Sequence, residues 1–355
     1  MSKLPVKIGT RDSPLAQWQS KQVKQLLQYK IIDSELVLIK SEGDLNLTTP
    51  LYEMGVQGIF TKTLDAALIN NRIDIAVHSF KDIPTKLANG LVIAAVLKRG
   101  NPQDVLVVNR ERVFTKEELS FDGIKELKND VGESLVTTSL MNNFFSDKFK
   151  NNNLSETPNN NFPKFIIATS SARRKAQLLH RFNSAQIENL RGNVNNRLKK
   201  VNNSQWHGAV FAAAGLERLG FGHLHTIELD WMLPAPAQGA IAIVCRENDT
   251  DALNYCAALN DFDTQICTQV EKDFLRILMG GCSTPIGAYA ILKNNEIIFK
   301  GNILSPNGEK KVDVKITGKI DEYKNIGALA AQDILNKGGK EIVDGFNKNV
   351  VENEE

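Results

Sequence analysis

No apolar run in this sequence approaches the ~18 residues needed to cross a bilayer; "LVIAAVL" is far too short. The opening "MSKLPVKIGT" lacks the apolar centre of a secretory signal, so no such leader is expected. Cysteine is scarce: Cys245, Cys256, Cys267 and Cys282 form no C-x-x-C pair and have no histidine cluster nearby. That argues against a zinc site or a redox dithiol, and no metal is expected. Free thiols in a reducing, cytoplasmic setting are expected instead. The net charge of +2 is too small for a general polyanion binder. There is no G-x-x-x-x-G-K-[ST] phosphate loop, and no local signature supplies the histidine base of a thiol protease.

What is present is an ordinary globular composition, 42% apolar and 24% charged, over 355 residues. That length suggests two or three domains. Strand and helix patterns alternate: "VKIGT", then the helical "SPLAQWQSKQVKQLLQ", the strand "ELVLIKS", the helical "FTKTLDAALINN" and the strand "DIAVHSF". This order favours an α/β fold with a largely parallel or mixed sheet. A second α/β unit begins near Asp104 with "DVLVV". It is interrupted by an Asn-rich stretch, residues 142–161, with little apolar periodicity, which reads as a surface insertion. Prolines 234 and 236 suggest a crossing or hinge before the strand "GAIAIVC". A helix, "TQICTQVEKDFLRILM", stops at Gly280-Gly281, and further strand and helix patterns follow as an α+β third unit.

Charge is unevenly placed. Between Thr169 and Lys200 stand eight basic residues and one acid, Glu188. In "TSSARR", Thr169, Ser170 and Ser171 can cap a helix whose free N–H groups and dipole favour an anion. Arg173 and Arg174 add planar forks suited to carboxylate or phosphate. "RGNVNNRL" repeats the theme with Arg191 and Arg197. A solvated basic helix start fits the same residues. In "DIAVHSFKDIPT" a mostly apolar strand ends in Ser79-Phe80-Lys81-Asp82. Polar residues at such a strand end commonly face a ligand crevice, although an Asp near a proline also forms turns. His78 reads as a packed strand histidine. "MGGCSTPIG" holds Cys282 between glycines and a Thr-Pro step, where the backbone turns. A carboxylate-rich ligand parked covalently on that thiol would use the arginines, the aspartate and the cysteine together.

The motifs "DIAVHSFKDIPT", "TSSARR", "LRGNVNNRL", "AAAGLERLG", "PAQGAIAI" and "GGCSTPIGAYA" occur in order, and from "IGTRDSPLAQWQ" to the C-terminal helix the chain resembles the porphobilinogen deaminases, or hydroxymethylbilane synthases, of tetrapyrrole biosynthesis. The resemblance implies a dipyrromethane cofactor bound through a thioether to Cys282. It implies that four porphobilinogen molecules add in turn, each losing ammonia, before hydrolysis releases the linear tetrapyrrole hydroxymethylbilane. Asp82 matches the family's catalytic aspartate. Arg11, Arg173, Arg174, Arg191, Arg197 and Arg218 match carboxylate-binding positions, and Ser13, Lys81, Thr169, Ser171 and Gln238 further contacts. Ser79 stands in the same strand-end motif.

The implied architecture is two similar α/β domains, like two-lobed binding proteins with the site between them, plus a smaller α+β domain carrying the cysteine. The boundaries expected are 1–100 with 238–258, 104–234, and 262–355. A monomer is expected, with porphobilinogen as its partner and neither nucleic acid nor membrane. Some positions depart from the family pattern: Val56-Gln57-Gly58-Ile59-Phe60 replaces Gly-Lys-Gly-Leu-Phe, Ala172 a leucine and Ala237 a glycine, while Lys62 remains. Two other readings use the same basic residues. A non-catalytic binder of an anionic metabolite would not need both Asp82 and Cys282. An RNA binder would want aromatics between Thr169 and Lys200, and few are there.

Overall fold

The computed structural model describes residues 4–40, 61–109, 165–278 and 284–351, with side chains as far as Phe346. The Asn-rich stretch 142–161, the segment 56–60 and Cys282 lie outside these described residues.

Strands and helices are numbered along the chain. The first sheet holds β1 (Val6–Arg11), β2 (Ser34–Ile39), β3 (Ile75–Ser79), β4 (Leu91–Val96) and β10 (Ile241–Arg246), in the order β2-β1-β3-β10-β4. The second holds β5 (Asp104–Val108), β6 (Ile166–Ala168), β7 (Gln186–Glu188), β8 (Gly208–Ala212) and β9 (Thr226–Glu228), in the order β7-β6-β8-β5-β9. The two sheets share one plan. In each, three parallel strands (β2, β1, β3 or β7, β6, β8) meet an antiparallel strand that pairs on its far side with another. The strands β3, β5 and β10 are buried along almost their whole length. Sheet interiors covered on both faces select continuous apolar runs rather than alternation, which is why "DVLVV" and "IAIVC" read as they do.

The fold returns to its first sheet after completing its second, so the chain passes between them twice, at residues 97–103 and 229–240. The second passage contains the two prolines that mark a crossing in the sequence. The passages touch: Gly100 N–H donates to the Gly239 carbonyl at 3.1 Å. Gly239 has φ +87°, and a Cβ there would lie 2.7 Å from the Gly100 oxygen. Only glycine permits both the left-handed backbone and this approach.

Helices α1 (Pro14–Tyr29), α2 (Lys62–Ile69) and α6 (Thr250–Ala257) accompany the first sheet, and α3 (Ala172–Arg181), α4 (Val194–Asn202) and α5 (Ala213–Arg218) the second. α1 starts at Ser13, whose Oγ accepts from Ala16 N–H at 3.3 Å, with Pro14 in the first turn. α3 starts the same way: Ser171 Oγ accepts from Arg174 N–H at 3.4 Å. Its last turn carries Arg181, a cation placed against the negative end of the helix. These caps sit directly after strands β1 and β6, so the C-terminal edges of both sheets begin helices with polar residues.

A third unit is an antiparallel meander of β11 (Ile286–Lys293), β12 (Glu296–Leu304) and β13 (Lys311–Lys319). It is covered by α7 (Phe262–Ile277) and α8 (Tyr323–Ile334), with α9 (Lys340–Val351) following. Phe274 and Phe299 are fully buried there, edge to face with ring centres 5.0 Å apart. The unit touches both lobes. At Gly308, φ +75°, the turn between β12 and β13 comes so close to α3 that a Cβ would lie 2.5 Å from His180 N.

Towards the first lobe, Arg99 and Glu271 of α7 form a two-pronged ion pair at 2.6 and 3.0 Å. Glu271 is fully buried and also accepts from Ala237 N–H at 2.6 Å and Ala290 N–H at 2.8 Å. Burial alone would lower the Arg99 pKa, but Glu271 carries it above the ordinary arginine value. Removing one partner of such a pair strands the other charge. Glu271→Gln is therefore expected to cost about 3–5 kcal/mol of stability, read as a lower midpoint in urea unfolding with Arg99 left unpaired; an unchanged midpoint would contradict the clamp.

Candidate active site

The C-terminal edges of the parallel strands converge. β1 ends at Arg11, β3 at Ser79, and β6 at Ala168, one residue before Thr169. After β3 a single 3-10 turn, Phe80–Asp82, presents Lys81 and Asp82, both half-buried. Phe80 anchors the turn with 3% exposure. Ile83, also buried, lends its carbonyl to Lys272 Nζ of α7 at 2.5 Å, and that ammonium lies 5.3 Å from the Phe80 ring centre. The turn bearing Asp82 is thus held from below by the third unit.

Across the seam stand the arginines. Arg173 and Arg174 are almost wholly buried, at 4% and 6% exposure. Both meet Asp104, the first residue of β5, which is fully buried. Arg173 Nη2 lies 2.7 Å from Asp104 Oδ2 and Arg174 Nη2 2.7 Å from Oδ1. Arg174 Nη1 also donates to Val210 O at 2.8 Å, and Arg173 Nη1 to Leu233 O at 2.6 Å. Burial pushes the Asp104 carboxyl up, but Arg173, Arg174 and the Gln238 amide outweigh it and bring its pKa down to about 2. Arg173 itself is lowered from the ordinary arginine value by burial, with Asp104 opposing the shift and Arg174 adding to it.

Gln238, at 1% exposure, bridges the lobes. Its Nε2 donates to Asp104 Oδ1 at 2.9 Å and Pro102 O at 2.8 Å, and its Oε1 accepts from Lys81 Nζ at 3.2 Å. Burial lowers the Lys81 pKa to about 8; Asp82 and Asp104 oppose that shift, while Arg174 and Arg173 add to it. Arg197 is brought down to about 10 by burial, then by Arg174 and Arg191, with Asp82 pulling the other way. Asp82 of the first lobe and Arg197 of the second therefore share one electrostatic neighbourhood. Arg197 Nε donates to Gly192 O at 2.6 Å, and Lys200 Nζ to Arg191 O at 3.2 Å. Arg191 is buried at 7% exposure and lowered by that burial. Thr169 Oγ1 accepts from Ser171 N–H at 3.2 Å and Ser170 Oγ from Leu190 N–H at 2.8 Å, which shapes the loop before α3.

Beside Asp82 is a pocket of about 60 Å³, lined by Arg11, Gln19, His78, Ser79 and Asp82 among others. Ser79 Oγ lies 2.9 Å from Gln19 Nε2. Ser13 stays close to this edge as the cap of α1. Arg218 is placed differently: it donates to Gly239 O at 2.6 Å and lies 5.6 Å from the Trp18 ring centre, at the crossing of the two passages. Burial lowers its pKa, with Glu217 opposing. The structure thus brings together Asp82, Lys81, Gln238, Arg173, Arg174, Arg191 and Arg197, and sets Arg218 at the seam. Sequence reasoning missed Asp104, Gln19, Glu271 and Lys272 as part of this arrangement. Each carried one signal, a charged or amide side chain inside an otherwise apolar face.

The described residues contain no group of histidine, cysteine and acid side chains able to hold a metal. No described helix is long and apolar enough to cross a membrane. The family model described as porphobilinogen deaminase, dipyromethane cofactor binding domain, matches residues 6–254, and that for the C-terminal domain of the same proteins matches residues 265–336. The chain belongs to the porphobilinogen deaminase family. A porphobilinogen deaminase of Desulforamulus reducens is 35% identical over 96% of this chain and 98% of its own length. One from a Nitratiruptor species is 36% identical over 95% of each. A chloroplastic porphobilinogen deaminase of Oryza sativa is 34% identical over 96% of this chain and 86% of its own length. In this member of the family the Ala237 that replaces glycine has φ +61°, and its N–H is held by Glu271.

His78 is 5% exposed in β3, as a packed histidine should be. Burial, then Arg11, lowers its pKa to about 4. Its neutral form is favoured on folding, so the unfolded chain binds the extra proton first. Stability should fall as pH drops from 6.5 towards about 4, by up to about 3 kcal/mol at 1.36 kcal/mol per pH unit. His78→Phe should flatten that part of a pH series of urea midpoints; an equally steep loss in the variant would remove His78 as its source.

Proposed function

We propose that this chain is a porphobilinogen deaminase. It condenses four porphobilinogen molecules head to tail, releases one ammonia at each step, and frees hydroxymethylbilane by hydrolysis. Its cofactor is a dipyrromethane joined by a thioether to Cys282, and its setting is the cytoplasm. The observation that carries this reading is the convergence of Asp82 with a buried set of cations contributed by both lobes. The three sheets are the cores of three domains, at 1–100 with 238–258, 104–234, and 262–355.

The residues suit the group. Each pyrrole bears an acetate and a propionate, and desolvated carboxylates need partners. Planar guanidinium forks provide them with directional, charge-assisted bonds. The family model's cofactor-binding domain covers the residues that hold these forks. The third unit also meets the arginine centre. Gly287 of β11 packs against Leu233, so closely that a Cβ would lie 2.7 Å from Leu233 Cβ, and the Leu233 carbonyl takes Arg173. The chain therefore leaves the Cys282 segment, at Thr284, a few residues from the arginine centre.

When bound, the dipyrromethane would supply a nucleophilic primer pyrrole for the condensation. The chain's own residues do the rest. Arg11, Arg173, Arg174, Arg191, Arg197 and Arg218, with Ser13, Ser79, Thr169, Ser171 and Gln238, bind and orient carboxylates along the seam. Lys81 sets the charge beside Asp82. Asp82 accepts pyrrole N–H groups and faces the positive charge that develops on the substrate ring as ammonia departs. At ~4 Å and an effective dielectric near 20, a unit charge pair is worth about 4 kcal/mol, nearly three decades of rate if realised only in the transition state.

Purified protein supplied with porphobilinogen should release ammonia and form hydroxymethylbilane. Asp82→Asn should fold normally and lose about two to three decades of kcat, measured by ammonia release. Near-wild-type turnover in that variant would take Asp82 out of the chemistry, and no ammonia from the wild type would overturn the reading.

A further inference from the structure

Asp104 is placed where an acid has most to disturb and most to organise. Each carboxylate oxygen has a separate set of partners. Oδ2 faces Arg173 Nη2 at 2.7 Å. Oδ1 accepts from Arg174 Nε and Nη2 at 3.1 and 2.7 Å, and from Gln238 Nε2 at 2.9 Å. The Gln238 amide has one workable orientation, because its Nε2 also donates to Pro102 O and a flip would set its oxygen against two acceptors. Its Oε1 is therefore turned to Lys81 Nζ. An unbroken line of hydrogen bonds runs from Arg174, through Asp104 and Gln238, to Lys81, the residue next to Asp82, with Arg173 ion-paired to the other Asp104 oxygen.

A buried network of this kind is a poor means of stabilising a fold, since apolar side chains of similar volume often do as well. What it gives is fixed direction. Asp104 uses up the edges of Arg173 and Arg174 that face it and keeps both from swinging. It also leaves the site positive, with Lys81, Arg173, Arg174 and Arg197 set against Asp82 and Asp104. We infer that Asp104 is a positioning residue: it fixes the two arginines for ligand carboxylates and, through Gln238, fixes Lys81 beside Asp82. The inference rests on the deaminase reading given above. Small misplacements at a reacting centre cost as much as 10²-fold in rate.

The test compares holoenzyme of wild type, Asp104→Asn and Gln238→Met, with kcat and KM for porphobilinogen measured across pH. Lys81 faces Asp82, Asp104, Arg173 and Arg174. Loss of the Asp104 charge, or of the Gln238 acceptor, removes support for its protonated form. In both variants the alkaline limb of the kcat profile should move to lower pH. In Gln238→Met, which keeps the ion pairs with Asp104, kcat should fall at least about tenfold. A structural role alone would change unfolding midpoints and leave the limb in place. If Asp104→Asn does not fold, Gln238→Met decides: an unmoved limb with wild-type kcat overturns the inference. A wild type that releases no ammonia overturns the deaminase reading and this inference with it, whereas an active wild type with unchanged variants overturns the inference alone.

Discussion

Two guanidinium groups side by side in a buried seam repel each other and lack the water that would otherwise screen them. In this chain Asp104 resolves that conflict. Fully buried itself, it pairs with Arg173 and Arg174, and the three together still leave one positive charge for a ligand. Much of the site's geometry depends on this. The arginines begin α3, so the direction of that helix is tied to the head of β5. Gln238 is tied to the same carboxylate, so the return passage of the chain is fixed against the second lobe at the point where it re-enters the first. Lys81 meets the other end of Gln238. A ligand carboxylate held here, as proposed, would find donors already aimed, which lowers the ordering cost of binding.

A second buried acid does comparable work for the third unit. Glu271 receives Arg99 twice, together with the N–H groups of Ala237 and Ala290. One side chain of α7 thus joins the outward passage, the return passage and β11. The next residue, Lys272, reaches the turn that carries Asp82. α7 is also the helix whose end precedes the Cys282 segment. The third unit is therefore braced against the turn that presents the aspartate.

The sequence made the architecture readable wherever local signals agreed. Strands covered on both faces appeared as unbroken apolar runs, as in "DVLVV" and "GAIAIVC". Helix starts were marked by Ser13-Pro14 and by Ser170-Ser171. The two prolines at 234 and 236 marked a real passage between sheets. Ordered motifs carried the family, and the family carried the expected roles of Asp82, the arginines and Cys282. The partners of those residues were harder to read. Asp104 lies some seventy residues before Arg174 in sequence, and the hydrogen-bond path from Arg174 to Lys81 joins four separate stretches of chain. No periodicity encodes such meetings. Glu271 and Lys272 interrupt an otherwise apolar helix face, but their partners, Arg99 and the Ile83 carbonyl, lie far away in sequence. The strand β13, "KVDVKITGK", alternates strongly, but its significance as the outer strand of a meander depends on the two strands before it.

The central claim is that Cys282 tethers a dipyrromethane whose carboxylates these arginines hold. Intact-protein mass spectrometry of purified wild type beside Cys282→Ser, each before and after exposure to porphobilinogen, tests it most directly. The account predicts a wild type heavier than its sequence by two linked pyrrole units, before or after exposure, and a variant that never gains them. A wild type that keeps its bare sequence mass after porphobilinogen is added, or a variant that carries the same increment, would contradict it.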